Sequence, residues 1–293
     1  MYFYIAHGLN IGSEFVFPEL EVAENESDVL IRLGTLNGSV RRSINEHNSF
    51  LGETPNVGTF LVQDGCEVVV DPSPGVDEAL LRTIILGPIL AVLLRQRGLF
   101  VLHASSIAVH GAAVAFLGGS GYGKSTLAEA FYGRGYSVIT DDMTAVHICR
   151  DRLCVFPGYP HVKLLPDTVC SLGYALAALP LLHSQTEKRV HYILRRLPQV
   201  SLPLTRLYVL ASGPHNEIEP LQPQDAFVEL TRNSRAIGLL RSPNCVMTHF
   251  HQCARLVEGV SICRLKRPSS LLALADTVRL VEEDLSSVSS SRR

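Results

Sequence analysis

The run GGSGYGKST, residues 118–126, limits what this chain can become more than any other segment. Gly118, Gly123, Lys124 and Ser125 fit G-x-x-x-x-G-K-[ST], the phosphate-binding loop. The apolar stretch AAVAFL precedes the run, and residues 125–133 read as a helix after it. A buried strand that passes through such a loop into a helix is the start of an α/β core. In that setting the backbone N–H groups of Gly118, Gly119, Ser120, Gly121, Tyr122 and Gly123 and the positive end of the helix dipole converge on phosphate oxygens. Lys124 supplies a mobile charge for the β and γ phosphates. Ser125, followed by Thr126, supplies the hydroxyl for a bridging Mg²⁺. ATP and Mg²⁺ are therefore the expected ligands, with GTP and pyrophosphate left open as donors.

A pair of carboxylates, Asp141-Asp142, follows the short apolar strand GYSVIT, 17 residues beyond Lys124. Where that strand lies on the loop's edge of the sheet, one acid holds Mg²⁺ and the other takes a proton from the attacking hydroxyl. His103 stands 21 residues before Lys124, at the end of another apolar strand. By itself it reads as an ordinary core or surface histidine.

Around this segment the chain divides into three. Residues 1–75 are strand-rich, and Asp64-Gly65 in VGTFLVQDGCEVVVDP predicts a tight hairpin. Position alone assigns that region to acceptor recognition. Residues 76–285 form the catalytic domain, opening with a helix over 76–97 on the spacing Leu80, Leu81, Ile84, Ile85, Ile89, Val92, which Gly98 stops. Leu99 to Val109 and Ala112 to Leu117 read as two strands around His110-Gly111. A final helix is expected from about Pro268, and residues 286–293 as a flexible tail.

Composition removes several functions. Twenty-six Lys and Arg against 28 Asp and Glu, with no run of five like charges, lack the field that nucleic-acid binders rely on. The longest apolar stretch, 84–94, is half of what a membrane span needs and contains Gly87-Pro88, so it reads as a buried, kinked helix. Seven cysteines without a C-x-x-C pair, behind an N-terminus with no basic or apolar signal region, predict a cytoplasmic protein with reduced thiols.

The segment LHASSIAVHGAAVAFLGGSGYGKSTLAEAFYGRGYSVITDD resembles the core of the HPr kinase/phosphorylase superfamily, with its histidine, phosphate loop and paired aspartates in that order. The resemblance is strong from about Leu86 to Val146 and lost in the first 75 residues. It implies the α/β P-loop kinase core shared with phosphoenolpyruvate carboxykinases, preceded here by a small β-rich region. It also implies Asp141 as the catalytic carboxylate, His103 as its partner, Ser125 and Asp142 on the metal, and a homo-oligomer. Thr126 stands where the bifunctional enzymes carry Glu, and their phosphorylase signature has no counterpart. PGYPHVKLLPD lacks the family's additional metal-side glutamate, leaving Asp167 or Lys163 as its replacement, or neither. With LLRQRG-x3-LHAS, the chain is similar to HPr-kinase-like proteins encoded beside ribosomal-peptide pathways, lasso-peptide clusters included.

The function this implies is an ATP- and Mg²⁺-dependent serine kinase acting on a small protein or precursor peptide. Two alternatives remain: a nucleotide-gated peptide-binding module without transfer activity, and a kinase of a free hydroxyl metabolite such as serine. Two further groups are weighed lower. CVMTHFHQC offers Cys245, His249, His251 and Cys253 as zinc ligands, but helical spacing groups only His249 with Cys253. Arg232 and Arg235 offer guanidinium groups to a phosphate or an acidic peptide, against the simpler reading of a solvated pair.

Overall fold

Asp64 and Gly65 adopt φ of 52° and 65°, and the Cys66 amide donates to the Gln63 carbonyl across them. This tight turn folds strand Gly58–Gln63 back on Glu67–Pro72, antiparallel and in the expected place. The computed structural model describes residues 1–24, 26–36, 48–149, 152–237 and 243–290. In it the hairpin is one side of a seven-stranded sheet, ordered 21–22, 2–6, 9–13, 29–33, 67–72, 58–63, 49–54.

One face of that sheet is covered by the chain that follows. Asp77 caps helix Glu78–Ile84 through the amides of Ala79 and Leu80. Pro88 has no N–H to donate, and Ile85–Ile89 widens into a π turn before helix Leu90–Gln96 resumes. Gly98, at φ 82°, ends it, with the Leu99 amide reaching back to the Leu94 carbonyl. Leu81, Ile85, Leu93 and Leu94 share one apolar cluster with Tyr4, Ile11, Val29, Phe60 and Val70. The expected boundary at residue 75 thus falls inside a continuous core. The helix packs between the N-terminal sheet and Val101, Met143, Ala145 and Tyr159, all in one cluster.

A nine-stranded sheet carries the glycine-rich loop 118–123. Strand Ala112–Leu117 alternates strictly: Val114 and Phe116 enter a cluster with helices Lys124–Gly133 and Leu274–Ser290, while Ala113, Ala115 and Leu117 enter another with helices Pro223–Arg232 and Pro243–Gly259. Period-two alternation on a strand covered on both faces yields three layers, helix on sheet on helix. Phe116 stacks between Phe131 and Tyr208, centroids 5.6 and 5.9 Å away. Together the sheets make a mixed α/β molecule.

Strand directions position the site. Ala112–Leu117 runs parallel to Leu202–Ser212, which runs parallel to Ser261–Arg267. Ala104–Val109 is antiparallel to both Ala112–Leu117 and Ser137–Thr140. The carboxyl ends of 112–117 and 137–140 and the start of 104–109 therefore lie on one edge, where ligands of α/β sheets bind.

At this edge the structure departs from the expected elements. The strand expected over 99–109 is broken at His103: Phe100–Leu102 pairs with Thr144–Ile148, while Ala104–Val109 pairs with 112–117 and 137–140. Ser137–Thr140 and Thr144–Ile148 part in the same way at Asp141-Asp142-Met143. Both breaks lie where the chain leaves one set of ladder partners for another, which frees these residues from regular pairing. PGYPHVKLLPD, read as a crossing, contains strand His161–Leu164 and opens helix Pro166–Ser171. The last helix starts later than Pro268, with Ser270 capping the turn Leu271–Ala273 ahead of helix Leu274–Ser290. Residues 286–290 of the expected tail are helical, and 291–293 lie outside the described residues. No helix among the described residues is long and apolar enough to cross a membrane.

Candidate functional site

The loop between strand Ala112–Leu117 and helix Lys124–Gly133 turns on glycines at positive φ, Gly121 and Gly123 both at 83°. Gly123 is required twice over, since a Cβ there would lie 2.0 Å from Nη2 of Arg267. It begins the helix with no side-chain cap. Lys124, 6% exposed, folds back so that Nζ donates to the carbonyls of Gly118 and Gly119 at 2.7 and 2.9 Å. Burial pushes its pKa down to about 8, against the opposing pull of Asp142 and Asp141.

The two aspartates have different surroundings. Asp141 is 1% exposed and fully engaged. Its Oδ1 accepts from Ser125 Oγ at 2.8 Å and Ser105 Oγ at 2.5 Å, and its Oδ2 accepts from the Lys163 amide at 2.9 Å. Asp142, at φ 68°, turns out of the strand direction, a conformation aspartate tolerates better than most residues. Its side chain stays 31% exposed, with Oδ1 2.5 Å from Arg235 Nη2 and 3.3 Å from His103 Nε2, and Oδ2 3.5 Å from Lys163 Nζ. Burial alone would raise its pKa. The hydrogen bond from His103 and the charges of Lys163 and Arg235 outweigh that and hold the carboxyl far below the usual range.

His103 thus meets Asp142 rather than Asp141, the partner the resemblance implies, and the loop serine donates to Asp141. The cause is the backbone, because Asp141 still ends the strand beside the loop helix while the left-handed Asp142 swings toward the other break at His103. Thr126 faces Thr168 at 3.3 Å instead of either aspartate. Of the two replacements offered for the missing glutamate, Lys163 reaches both aspartates, while Asp167 is exposed in the first turn of its helix.

One contributor had no local signature, and another's partner had none. Ser105 lies two residues past His103, inside the motif but without a pattern of its own. Arg235 reaches Asp142 because its segment is tied to the edge strand. The Asn233 carbonyl accepts from the His103 amide, and the Arg235 amide donates to the Val101 carbonyl. Arg232 is not its equivalent: it pairs with Glu229 at 3.3 Å on the surface. Helix Pro243–Gly259 brings His249 Nε2 to 3.6 Å from Cys253 Sγ, but His249 stacks on Phe100 and its Nδ1 meets Arg95 at 2.9 Å. His251 is exposed.

The sequence matches no protein-family model and no curated protein. Among solved structures, the fold is similar to the Hpr(Ser) kinase/phosphatase from Coxiella burnetii, at a TM-score of 0.35 and 12% identity, over 66% of this chain and 96% of that one.

Proposed function

We propose that the protein is an ATP- and Mg²⁺-dependent phosphotransferase that moves the γ-phosphate to a serine hydroxyl of a small protein or precursor peptide. The observation that carries this reading is the meeting, at one end of the phosphate loop, of two carboxylates in contrasting settings. One is sealed against the loop serine, and the other is reachable and surrounded by cations. The Ser125 hydroxyl oxygen, oriented by its hydrogen bond to Asp141, fits Mg²⁺, which keeps several waters and takes one or two protein ligands. Bound there, the ion would neutralise charge on the β and γ phosphates.

The chain's own residues account for the remaining tasks. Lys124 exchanges its two carbonyl partners for phosphate oxygens, as its position at the start of the helix allows. Asp142 receives the acceptor: its carboxylate orients the serine hydroxyl and takes its proton as the serine oxygen bonds to the γ-phosphorus and the bond to the β-phosphate oxygen breaks. A strongly ionised carboxylate is a weak base, but phosphoryl transfer passes through a loose transition state that asks more for positioning than for early proton removal. His103, hydrogen-bonded to Asp142, is a positioning residue, and Arg235 and Lys163 add positive charge where the transferred group is negative. Asp141 is poorly suited to the base role, because both of its oxygens are already accepting hydrogen bonds in a closed space.

The test is transfer of labelled γ-phosphate from ATP with Mg²⁺ to a precursor peptide, to HPr and to free serine, in parallel with Asp142→Asn and Asp141→Asn proteins. Label on a peptide or protein serine, lost in Asp142→Asn with nucleotide affinity kept, is the expected result. Label on free serine alone would reassign the acceptor. ATP binding without transfer to any of the three would replace the kinase by a nucleotide-gated binding module.

A further inference from the structure

A small two-stranded sheet, His161–Leu164 against Arg189–Tyr192, lies beside helix Lys124–Gly133 and has two unlike faces. Val162 and Leu164 enter the apolar cluster of Leu127 and Phe131, and His191, opposite Val162, meets the buried carboxylate of Glu129 on that helix at 2.8 Å. This face fixes the small sheet to the helix. Lys163 takes the other face and reaches Asp142.

The register brings a second lysine to the side of Lys163. Lys163 stands opposite Val190, so Lys188, two residues before Val190, returns to the same face as the diagonal neighbour of Lys163, a spacing that long side chains cross. The segment before it is tied down: the Leu182 amide donates to the Lys188 carbonyl at 2.9 Å, and the amide and hydroxyl of Ser184 both donate to Asp77, the cap of helix Glu78–Ile84. Burial is the main cause of the lowered pKa of Lys124 and of His183, and the charge of Lys188 adds to the lowering at both. The Lys188 ammonium is thus within electrostatic reach of the loop lysine.

Lys188 differs from its neighbours in having no anion of its own. His103, Lys163 and Arg235 all bear on Asp142, and Lys124 is held by two carbonyls. Lys188 is half-buried, and among the described residues no carboxylate lies within ion-pair distance of it. Cations gathered in this way repel one another, and an anion that enters between Lys124 and Lys188 relieves the repulsion. Beside Lys124 that anion is the terminal phosphate of the donor, whose equatorial oxygens carry the charge of a loose transition state. We infer that Lys188 is a further catalytic residue, whose ammonium binds an oxygen of the γ-phosphoryl group as that group leaves the β-phosphate oxygen and bonds to the serine oxygen. Lys188 stays protonated throughout, since the serine proton goes to Asp142. The inference rests on the phosphoryl-transfer reading above and adds to it a residue that neither the loop nor the aspartates supply.

The experiment titrates ATP and ADP, each with Mg²⁺, into the full chain and into Lys188→Met, Lys188→Arg and Lys124→Ala proteins, and measures transfer from ATP to a precursor peptide, to HPr and to free serine. Lys188→Met should weaken ATP by about tenfold while ADP stays within about twofold, the loss of one charge-assisted contact to the γ-phosphate. Its kcat should fall by ~10²-fold, in the range of one lost transition-state donor. Lys188→Arg, which keeps the charge, should keep most of the preference for ATP over ADP. Equal weakening of both nucleotides, unchanged affinity for both, or a raised acceptor KM with kcat intact overturns the assignment of Lys188 while leaving the phosphate loop in place. ATP binding by the wild type without transfer to any of the three acceptors removes the transfer reading, and the catalytic role of Lys188 with it. Failure of the wild type to bind either nucleotide, with Lys124→Ala indistinguishable from it, removes the phosphate-loop reading and this inference together.

Discussion

The two ends of the site are built differently. The proposed donor end, from Gly118 to Thr126, is one continuous segment whose parts are held by their own neighbours: Lys124 by the carbonyls of Gly118 and Gly119, and the chain direction by glycines at positive φ. The proposed acceptor end gathers His103, Asp142, Lys163 and Arg235 from four separate stretches and depends on two strand breaks meeting at one edge. A local device survives small shifts of the fold. A long-range device is only as rigid as the elements that carry it, so damage to the scaffold should reach the acceptor end first.

Removing the charge of the donor end should have the largest effect. Lys124→Ala is expected to lower transfer by ~10³-fold, in the range of a lost preorganised charge, and to weaken ATP in a direct titration. Retained turnover would show that the loop is not the phosphate site. Asp142→Asn follows, with a ~10²-fold fall in kcat, typical of a lost acid–base group, and little change in ATP affinity. An equal fall in ATP affinity would place Asp142 on the donor side and erase the contrast between the ends.

Arg235→Gln should cost about tenfold in kcat, one charge-assisted contact's worth, while Arg232→Gln on the surface should leave kcat unchanged. If the two variants behave alike, the tether of residues 233–235 to the edge strand has no catalytic meaning.

The mildest effect concerns acid and the seam beneath the acceptor end. His7 is 1% exposed beside Gly158 and Tyr159, and neither of its ring nitrogens has a hydrogen-bond partner among the described residues. Burial, with His147 adding to it, lowers its pKa to about 4, and burial next to Lys163 lowers that of His161 to about 3. A histidine whose folded pKa is depressed costs nothing above its unfolded value near 6.5. As pH falls below that value the unfolded chain takes up the proton and the native state does not, so stability declines toward the folded pKa. For His7 alone the loss is about 1 kcal/mol by pH 6. Hydrogen exchange at pH 7.5 and pH 6 should show residues 157–164 loosening before residues 118–127. Equal loosening of both would mean the two ends share one scaffold.

Much of the donor end was legible because its chemistry is local. G-x-x-x-x-G-K-[ST] places glycines, lysine and serine within nine residues, and the AAVAFL alternation and the helix at 124–133 surround it in the structure as expected. Asp64-Gly65 and Gly98 were legible for the same reason, since a positive φ is a property of the residue and its immediate neighbours. Asp141, Asp142 and His103 could be named from the motif, but their partners could not. Which carboxylate meets the histidine depends on φ at Asp142 and on where strand 99–109 breaks, and neither is encoded in spacing. Arg235 lies 93 residues from Asp142 along the chain, so only the pairing of 233–235 with the edge strand brings it near.

By itself the sequence determined the glycine-rich turn between strand and helix, the α/β class, the hairpin and the helix that Gly98 ends, because each follows from short-range sterics or from the two-fold and 3.6-fold periods of apolar side chains. Only the tertiary structure decided that helix 78–96 packs in one core with both the N-terminal strands and Met143, Ala145 and Tyr159, and that the aspartates divide between serine and histidine. Those outcomes turn on which surfaces exclude water together, and burial of that kind is a property of distant segments meeting.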